Sequence, residues 1–229
     1  MGAEPAPRLR RRVEDNIAAI ETLKALQREQ RDATPHEREA LARWQSWGAV
    51  PQIFEEDSQT GERLRSLLTP PEWRAARRTT INAHYTHPDL AAAIWQVAID
   101  LGFTGGRVLE PGCGSGTFIA AAPESARVIA GVELDPITAA IAQALHPRAA
   151  IRTESFAEST YPDAAFHLTI GNVPFGKIVL HDPVHNNGRH SMHNHFILKS
   201  LALTRPGGLV AVLTSRYTMD AENSAARDE

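Results

Sequence analysis

Apolar residues in the first third of the chain recur at helical steps. Val13, Ile17, Ile20, Leu23 and Leu26 are spaced by threes and fours, the stripe of an amphipathic helix with one face to bury. Thr34-Pro35-His36-Glu37 then supplies an N-cap, a proline at the first helical position and a glutamate able to close a capping box, predicting a short helix to about Trp44. The run Trp47-Gly48-Ala49-Val50-Pro51 ends it, and Thr69-Pro70-Pro71-Glu72 opens a further helix by the same logic. Residues 1–79 therefore read as a helical extension, with a frayed start over residues 1–10, where Gly, Ala and Pro show no periodicity.

From about residue 80 the pattern alternates. Leu90, Ile94, Val97 and Leu101 mark a helix closed by Gly102 and Gly105-Gly106. Short apolar runs over 107–110, 127–133, 149–153, 166–171 and 209–215 predict five strands, the last entered through Arg205-Pro206-Gly207-Gly208. Helical spacing over 136–145 and 193–204 falls between them, Phe196, Leu198 and Leu201 reading as core positions. Strands joined through helices pair in parallel, because each parallel pair needs a long crossover. The expected fold is α/β, a Rossmann-like doubly wound, mostly parallel sheet over residues 80–229 behind the helical extension.

Composition sets limits on this picture. With 229 residues, 42% hydrophobic and 22% charged, the chain matches an average soluble domain and can bury a full core. One cysteine, Cys113, excludes a disulfide framework and a multi-cysteine zinc site. No apolar run approaches ~18 residues and no signal-peptide stretch opens the chain, so the expectation is a cytoplasmic protein with no membrane partner. A net charge of −3 leaves nucleic-acid contact to local clusters, Arg8, Arg10, Arg11 and Arg12 and then Arg74, Arg77 and Arg78, which read equally well as solvated helix ends.

The first predicted strand runs into Glu110-Pro111-Gly112-Cys113-Gly114-Ser115-Gly116, a glycine-rich turn that lets a ligand approach the backbone before a helix. Such turns also serve dinucleotides and phosphates, but the spacing here is not that of the dinucleotide fingerprint. A second acidic residue, Glu133, ends the next strand, where a carboxylate accepts hydrogen bonds from ribose hydroxyls.

Together these residues resemble the class I methyltransferases that use S-adenosylmethionine. The resemblance implies that Glu110, Pro111, Gly112, Gly114, Ser115 and Gly116 receive the methionine part of the cofactor, and that Glu133, with Leu134 beside it, holds the ribose. Past the fourth predicted strand, Asn172-Val173-Pro174-Phe175 resembles the Asn-Pro-Pro-Tyr/Phe motif of members acting on exocyclic or amide nitrogens, chiefly adenine in DNA. An adenine amino nitrogen is a poor nucleophile until its protons are held by acceptors. Asn172 and the main-chain carbonyl of Val173 are the implied acceptors, Pro174 holds Val173 extended, and Phe175 stacks on the base. Val173 stands where the family has its first proline.

Tyr85 and Thr86 lie in a segment resembling the one that covers the methionine end, and Thr86 doubles as a candidate N-cap. Glu154-Ser155-Phe156 resembles the family's acidic-aromatic pair after the third strand, leaving Glu154 or Ser155 as the polar contact to adenine and Phe156 as apolar support; Asn172 also counts among the cofactor contacts. The extension, with Trp44, Trp47, Pro51 and Phe54, is similar to the methylase portion of plasmid and phage methylase–helicase fusions, implying DNA as partner and a larger polypeptide or complex. The family's sheet continues beyond its fifth strand, so a domain incomplete at its C-terminus is expected.

The implied reaction is methyl transfer to the adenine amino group of DNA by direct displacement on a flipped base. Transfer to a protein glutamine or an RNA adenine stays open, as does a non-catalytic module that binds cofactor or DNA. His181, Asp182, His185, His190, His193 and His195 crowd one segment. Zinc would need about four ligands there. A polar loop beside the base, touching phosphates through His, Asn186, Asn187 and Arg189, is the favoured reading over a metal site.

Overall fold

A computed structural model of the chain describes residues 7–55, 58–80, 86–220 and 225–228. In chain order the elements are α1 (Pro7–Glu29), α2 (Pro35–Ala42), α3 (Gln59–Leu67), α4 (Pro70–Arg78), α5 (Pro88–Asp100), β1 (Gly106–Pro111), α6 (Thr117–Ala120), β2 (Ala126–Glu133), α7 (Pro136–Leu145), β3 (Ala150–Thr153), β4 (Phe166–Asn172), α8 (Met192–Leu203) and β5 (Thr204–Leu213). They fall into two compact units. The first takes the chain to residue 85 and Asp135–Leu145; the second takes Thr86–Leu134 and His146–Glu229.

In the first unit both expected capping boxes form: Thr34 and Thr69 accept from the amides of Glu37 and Glu72, whose carboxylates accept from the threonine amides in return. The stripe of α1 buries Ile17, Ile20, Leu23 and Leu26 against Leu41, Trp44, Trp47, Phe54 and Leu64, and against Ile137 and Ile141 of α7. Trp44, Trp47, Phe54 and Trp73 form an edge-on aromatic chain with centroids 5.7, 5.9 and 4.9 Å apart. The buried indole N–H of Trp44 donates to Thr138 Oγ1 of α7 at 3.1 Å. Helix α3 carries little apolar signal beyond Leu64 and Leu67 and contains Gly61, so the pattern did not announce it. That glycine is required: a Cβ there would collide with the carbonyl oxygen of Ile53.

The second unit is built on a five-stranded sheet in the order β3-β2-β1-β4-β5, all parallel. Adjacent residues of β1 serve opposite faces. Val108 packs with Trp95, Ala98, Phe118, Leu168 and Ile170, whereas Leu109 packs with Val132, Phe156, Phe166, Phe196 and Leu203. Two expectations about faces need correction. Helix α5 buries Ala91, Trp95 and Ala98 while Leu90, Val97 and Leu101 are exposed, because the Trp95 indole reaches the Phe118 carbonyl at 2.8 Å. On α8 Leu201 is exposed, whereas Phe196 is core. Strand β5 starts earlier than expected. It begins directly after α8, and a shift in its pairing with β4 absorbs Arg205-Pro206-Gly207-Gly208.

Candidate active site

From β1 the chain builds outward to β2 and β3 on one side and to β4 and β5 on the other. A parallel sheet opens a crevice outside its carboxyl ends at such a reversal, here between β1 and β4. The sequence places Glu110 to Gly116 and Asn172 to Gly176 at those two strand ends.

Glu110 is only 3% exposed and accepts from the backbone amides of Ile119 and Phe118 at the start of α6. Its Oε2 has no hydrogen-bond partner. Burial pushes its carboxyl well above the usual range, the Ile119 amide opposes this, and the nearby Glu133 charge adds to it. Glu133 accepts from the Gly114 amide at 2.9 Å, tying the end of β2 to the glycine turn. Leu134 is 64% exposed.

Two glycines of this turn are set by a left-handed backbone, and one of them by close approach as well. At Gly112 (φ +68°) a Cβ would stand 3.4 Å from Pro174 Cδ, so the two motif segments touch here. At Gly116 (φ +89°) a Cβ would run into the His146 ring. His146 donates Nε2–H to the Ser115 carbonyl at 3.2 Å, and burial lowers its pKa, keeping the imidazole neutral. Nothing in the sequence pattern marked His146, one residue past α7.

Asn172 ends β4 opposite Leu213, and Val173 continues the pairing by donating its amide to the Leu213 carbonyl at 3.0 Å. The Val173 side chain is fully buried against Phe196 and Met192. A proline at this position would lack that N–H, which gives the departure from the Asn-Pro-Pro pattern a physical basis. Phe175 is half-buried, and the Gly176 carbonyl accepts from His193.

Other expected contacts lie differently. Thr86 is not the helix cap: with Pro88 at the first helical position the cap is His87, whose Nδ1 accepts from the Asp89 amide at 3.3 Å. Tyr85 lies outside the described residues. Glu154 is half-buried at the end of β3, its amide donating to the Glu133 carbonyl at 3.1 Å and its carboxylate 3.6 Å from Arg152. The Ser155 carbonyl accepts from the amides of Glu158 and Ser159. Phe156 belongs to the core, its ring centroid 4.8 Å from that of Phe196.

The His-rich segment is an internal brace. Asp182 Oδ2 accepts from His195 Nε2 at 3.0 Å and Lys199 Nζ at 3.1 Å, while Oδ1 accepts from the amides of Val184 and His185. Burial pushes the Asp182 carboxyl up, but the His185 amide, His195 and Lys199 outweigh it and hold it below the usual range. Lys199, buried on α8, also donates to the carbonyls of Ala157 and Ser159, joining the segment after β3 to the one after β4. Asn186 is buried and turned inward onto Leu180 and His190, so the expected contact of this residue with phosphate is corrected. Among the described residues no three His, Cys, Asp or Glu side chains are placed to hold a metal ion. Nor is any described helix long and apolar enough to cross a membrane.

No family model and no curated protein matches the sequence. Several solved structures are similar in part. A Listeria monocytogenes protein assigned to the class I S-adenosylmethionine-dependent methyltransferases is 14% identical, with 94% of this chain and 77% of that one covered and a TM-score of 0.49. An RNA methyltransferase assignment from Pyrococcus horikoshii is 20% identical, covering 53% and 59%, with a TM-score of 0.43. Phosphoethanolamine N-methyltransferase 1 of Haemonchus contortus, solved with phosphoethanolamine and S-adenosylhomocysteine, is 15% identical, covering 53% and 25%, with a TM-score of 0.38. The chain spans 43% to 59% of the length of the first three structures it matches.

Proposed function

We propose that the chain transfers a methyl group from S-adenosylmethionine to the exocyclic amino nitrogen of adenine in DNA. One observation carries the reading: Pro174 of the Asn172–Phe175 segment lies against Gly112 of the glycine turn, so the target-binding and cofactor-binding motifs share one crevice. The residues present fit the cofactor. Glu110 Oε2 is a buried acceptor with no hydrogen bond of its own, and a cation bound there would offset the burial and the Glu133 charge that raise its carboxyl.

The chemistry supplied by bound S-adenosylmethionine is a methyl group on a sulfonium sulfur, open to direct displacement. Glu110 would hold the cofactor's ammonium group, and Gly112 would leave room for it above the backbone. The Asn172 side-chain oxygen and the Val173 carbonyl would accept hydrogen bonds from the two amino hydrogens, drawing the lone pair onto the nitrogen, which releases one of those protons to solvent once it has gained the methyl group. Phe175 stacks on the extruded base and fixes its approach.

The test is transfer of label from the cofactor to unmethylated DNA, with RNA and a glutamine-containing protein as parallel acceptors. Labelling of DNA that Asn172→Ala reduces by about 100-fold or more is expected, the scale of losing one preorganised transition-state acceptor. Undiminished labelling in that variant refutes the assigned chemistry. Labelling of RNA or protein alone refutes the DNA assignment, and binding without transfer to any acceptor refutes the enzyme.

A further inference from the structure

Three separate stretches of sequence that carry arginines are tied together by hydrogen bonds in the helical unit. Arg12 of α1 donates to Gln45 Oε1 at 3.0 Å. One turn later the fully buried Asn16 donates to the Ser46 carbonyl at 2.6 Å and accepts from the Gln45 amide at 2.8 Å. The Ser46 hydroxyl then donates to Thr79 Oγ1 at 3.0 Å, at the C-cap of α4. This polar seam gathers the start of α1, the segment after α2 and the end of α4, and each brings cations: Arg8, Arg11 and Arg12; Arg43; Arg77 and Arg78. All but the half-buried Arg12 are exposed. Asp15 lies between two of them, 3.8 Å from Arg11 and 3.9 Å from Arg43.

The helix dipole favours Arg77 and Arg78 in the last turn of α4 but opposes the arginines that open α1. Helix α1 has no acidic residue in its first turn, so its arginines face the positive end of the helix dipole. Among the described residues Asp15 is the one acidic partner within 4 Å of any of these arginines, and it offsets only Arg11 and Arg43. With the whole chain at −3, attraction to a polyanion must come from such a local convergence. We propose that this surface holds the phosphodiester backbone of duplex DNA, an inference that rests on the DNA substrate proposed above. Guanidinium forks pair with phosphate oxygens in bidentate geometry and need no base edge, so the contact supplies affinity independent of sequence.

The experiment is titration of a random-sequence duplex with the full chain between about 50 and 200 mM salt. Changing Arg8, Arg77 and Arg78 together to alanine is expected to flatten the slope of log affinity against log salt by about 0.9 for each lost phosphate contact, ~2.7 for all three. The control variant, Arg28→Ala with Arg38→Ala, removes two exposed arginines of which Arg28 lies about 30 Å along α1 from Arg8, and is expected to keep the wild-type slope. An unchanged slope in the triple variant overturns the proposal, as does a wild-type chain that binds single-stranded RNA but no duplex. Labelled-methyl transfer measured on the same samples separates the two readings. An unchanged slope with Asn172-dependent transfer overturns the surface alone; a flattened slope with no transfer by the wild type supports the surface and overturns the methylation reading.

Discussion

Lys199→Met removes a buried ammonium and leaves a side chain of similar length. In the wild type its three protons go to the Ala157 carbonyl at 3.2 Å, the Ser159 carbonyl at 2.9 Å and Asp182 Oδ2 at 3.1 Å. The variant takes the one lysine from a buried carboxylate that keeps His195 and two amides, and it leaves the two carbonyls without this donor. Breaking such a buried pair costs about 3–5 kcal/mol, and at ~2–4 °C per kcal/mol for a chain of this size the melting temperature should fall by about 6–20 °C. Scanning calorimetry at neutral pH reads this directly. Asp182→Asn combined with Lys199→Met should cost less than the sum of the single changes by about 0.5–3 kcal/mol, since the interaction can be lost only once. The Asp182 carboxyl is held below its ordinary range. Its contribution is therefore present above the unfolded value of about 4 and is lost as pH falls below that, so Asp182→Asn should flatten the acid limb of the stability curve. A Lys199→Met melting temperature within about 2 °C of wild type, or additive single changes, would refute the brace.

Three further outcomes follow from the crevice. The folded carboxyl of Glu110 is raised, so it weakens the ligand-free fold as pH rises from the ordinary carboxylate range toward its raised value. Glu110→Gln should thus melt higher than wild type at pH 7 without ligand yet bind S-adenosylmethionine about 10- to 150-fold more weakly, as titration calorimetry would read, and the reverse pair of signs contradicts its role. Val173→Pro deletes the donor to the Leu213 carbonyl and should cost about 1–3 kcal/mol in denaturant melts; a neutral effect would mean that this bond holds nothing. Gly116→Ala combines a left-handed backbone with a clash on His146 and should cost at least about 1–3 kcal/mol, with the change relieved in part by a smaller residue at 146.

The helices with capping boxes and the five strands were legible because their signals are local. Thr34 and Glu37, or Thr69 and Glu72, are three residues apart, and the alternating runs of β1 to β5 need no knowledge of partners. What the pattern missed depends on distant neighbours. Helix α3 survives on Leu64 and a serine cap, with Gly61 fitted under a carbonyl that only the fold brings near. Which face of α5 is buried was decided by the Trp95 indole finding the Phe118 carbonyl. The histidines near residue 190 suggested ligands or phosphate contacts by composition alone, whereas Lys199 and two loop carbonyls make Asp182 and His195 structural.

The two motifs of the crevice are coupled through the sheet as well as by proximity. Leu109 pairs with Thr169, so the parallel register carries Glu110 and Pro111 alongside Ile170 and Gly171. A Cβ on Gly171 would stand 3.2 Å from Glu110 Cγ and 3.7 Å from the Pro111 carbonyl oxygen. The glycine just before Asn172 therefore makes room for the carboxylate on β1. Gly112 lies next to Pro174 as well, but there a Cβ at 3.4 Å would make an ordinary contact and the left-handed φ is what asks for glycine. The fit of Gly171 to Glu110 is why Glu110-Pro111-Gly112 and Gly171-Asn172-Val173-Pro174, some sixty positions apart, carry more information together than either alone. The pairing also predicts where the fold yields: a side chain at Gly171 must push on Glu110, so under the proposed function Gly171→Ala should weaken both cofactor binding and transfer, and a loss of one without the other would contradict the coupling.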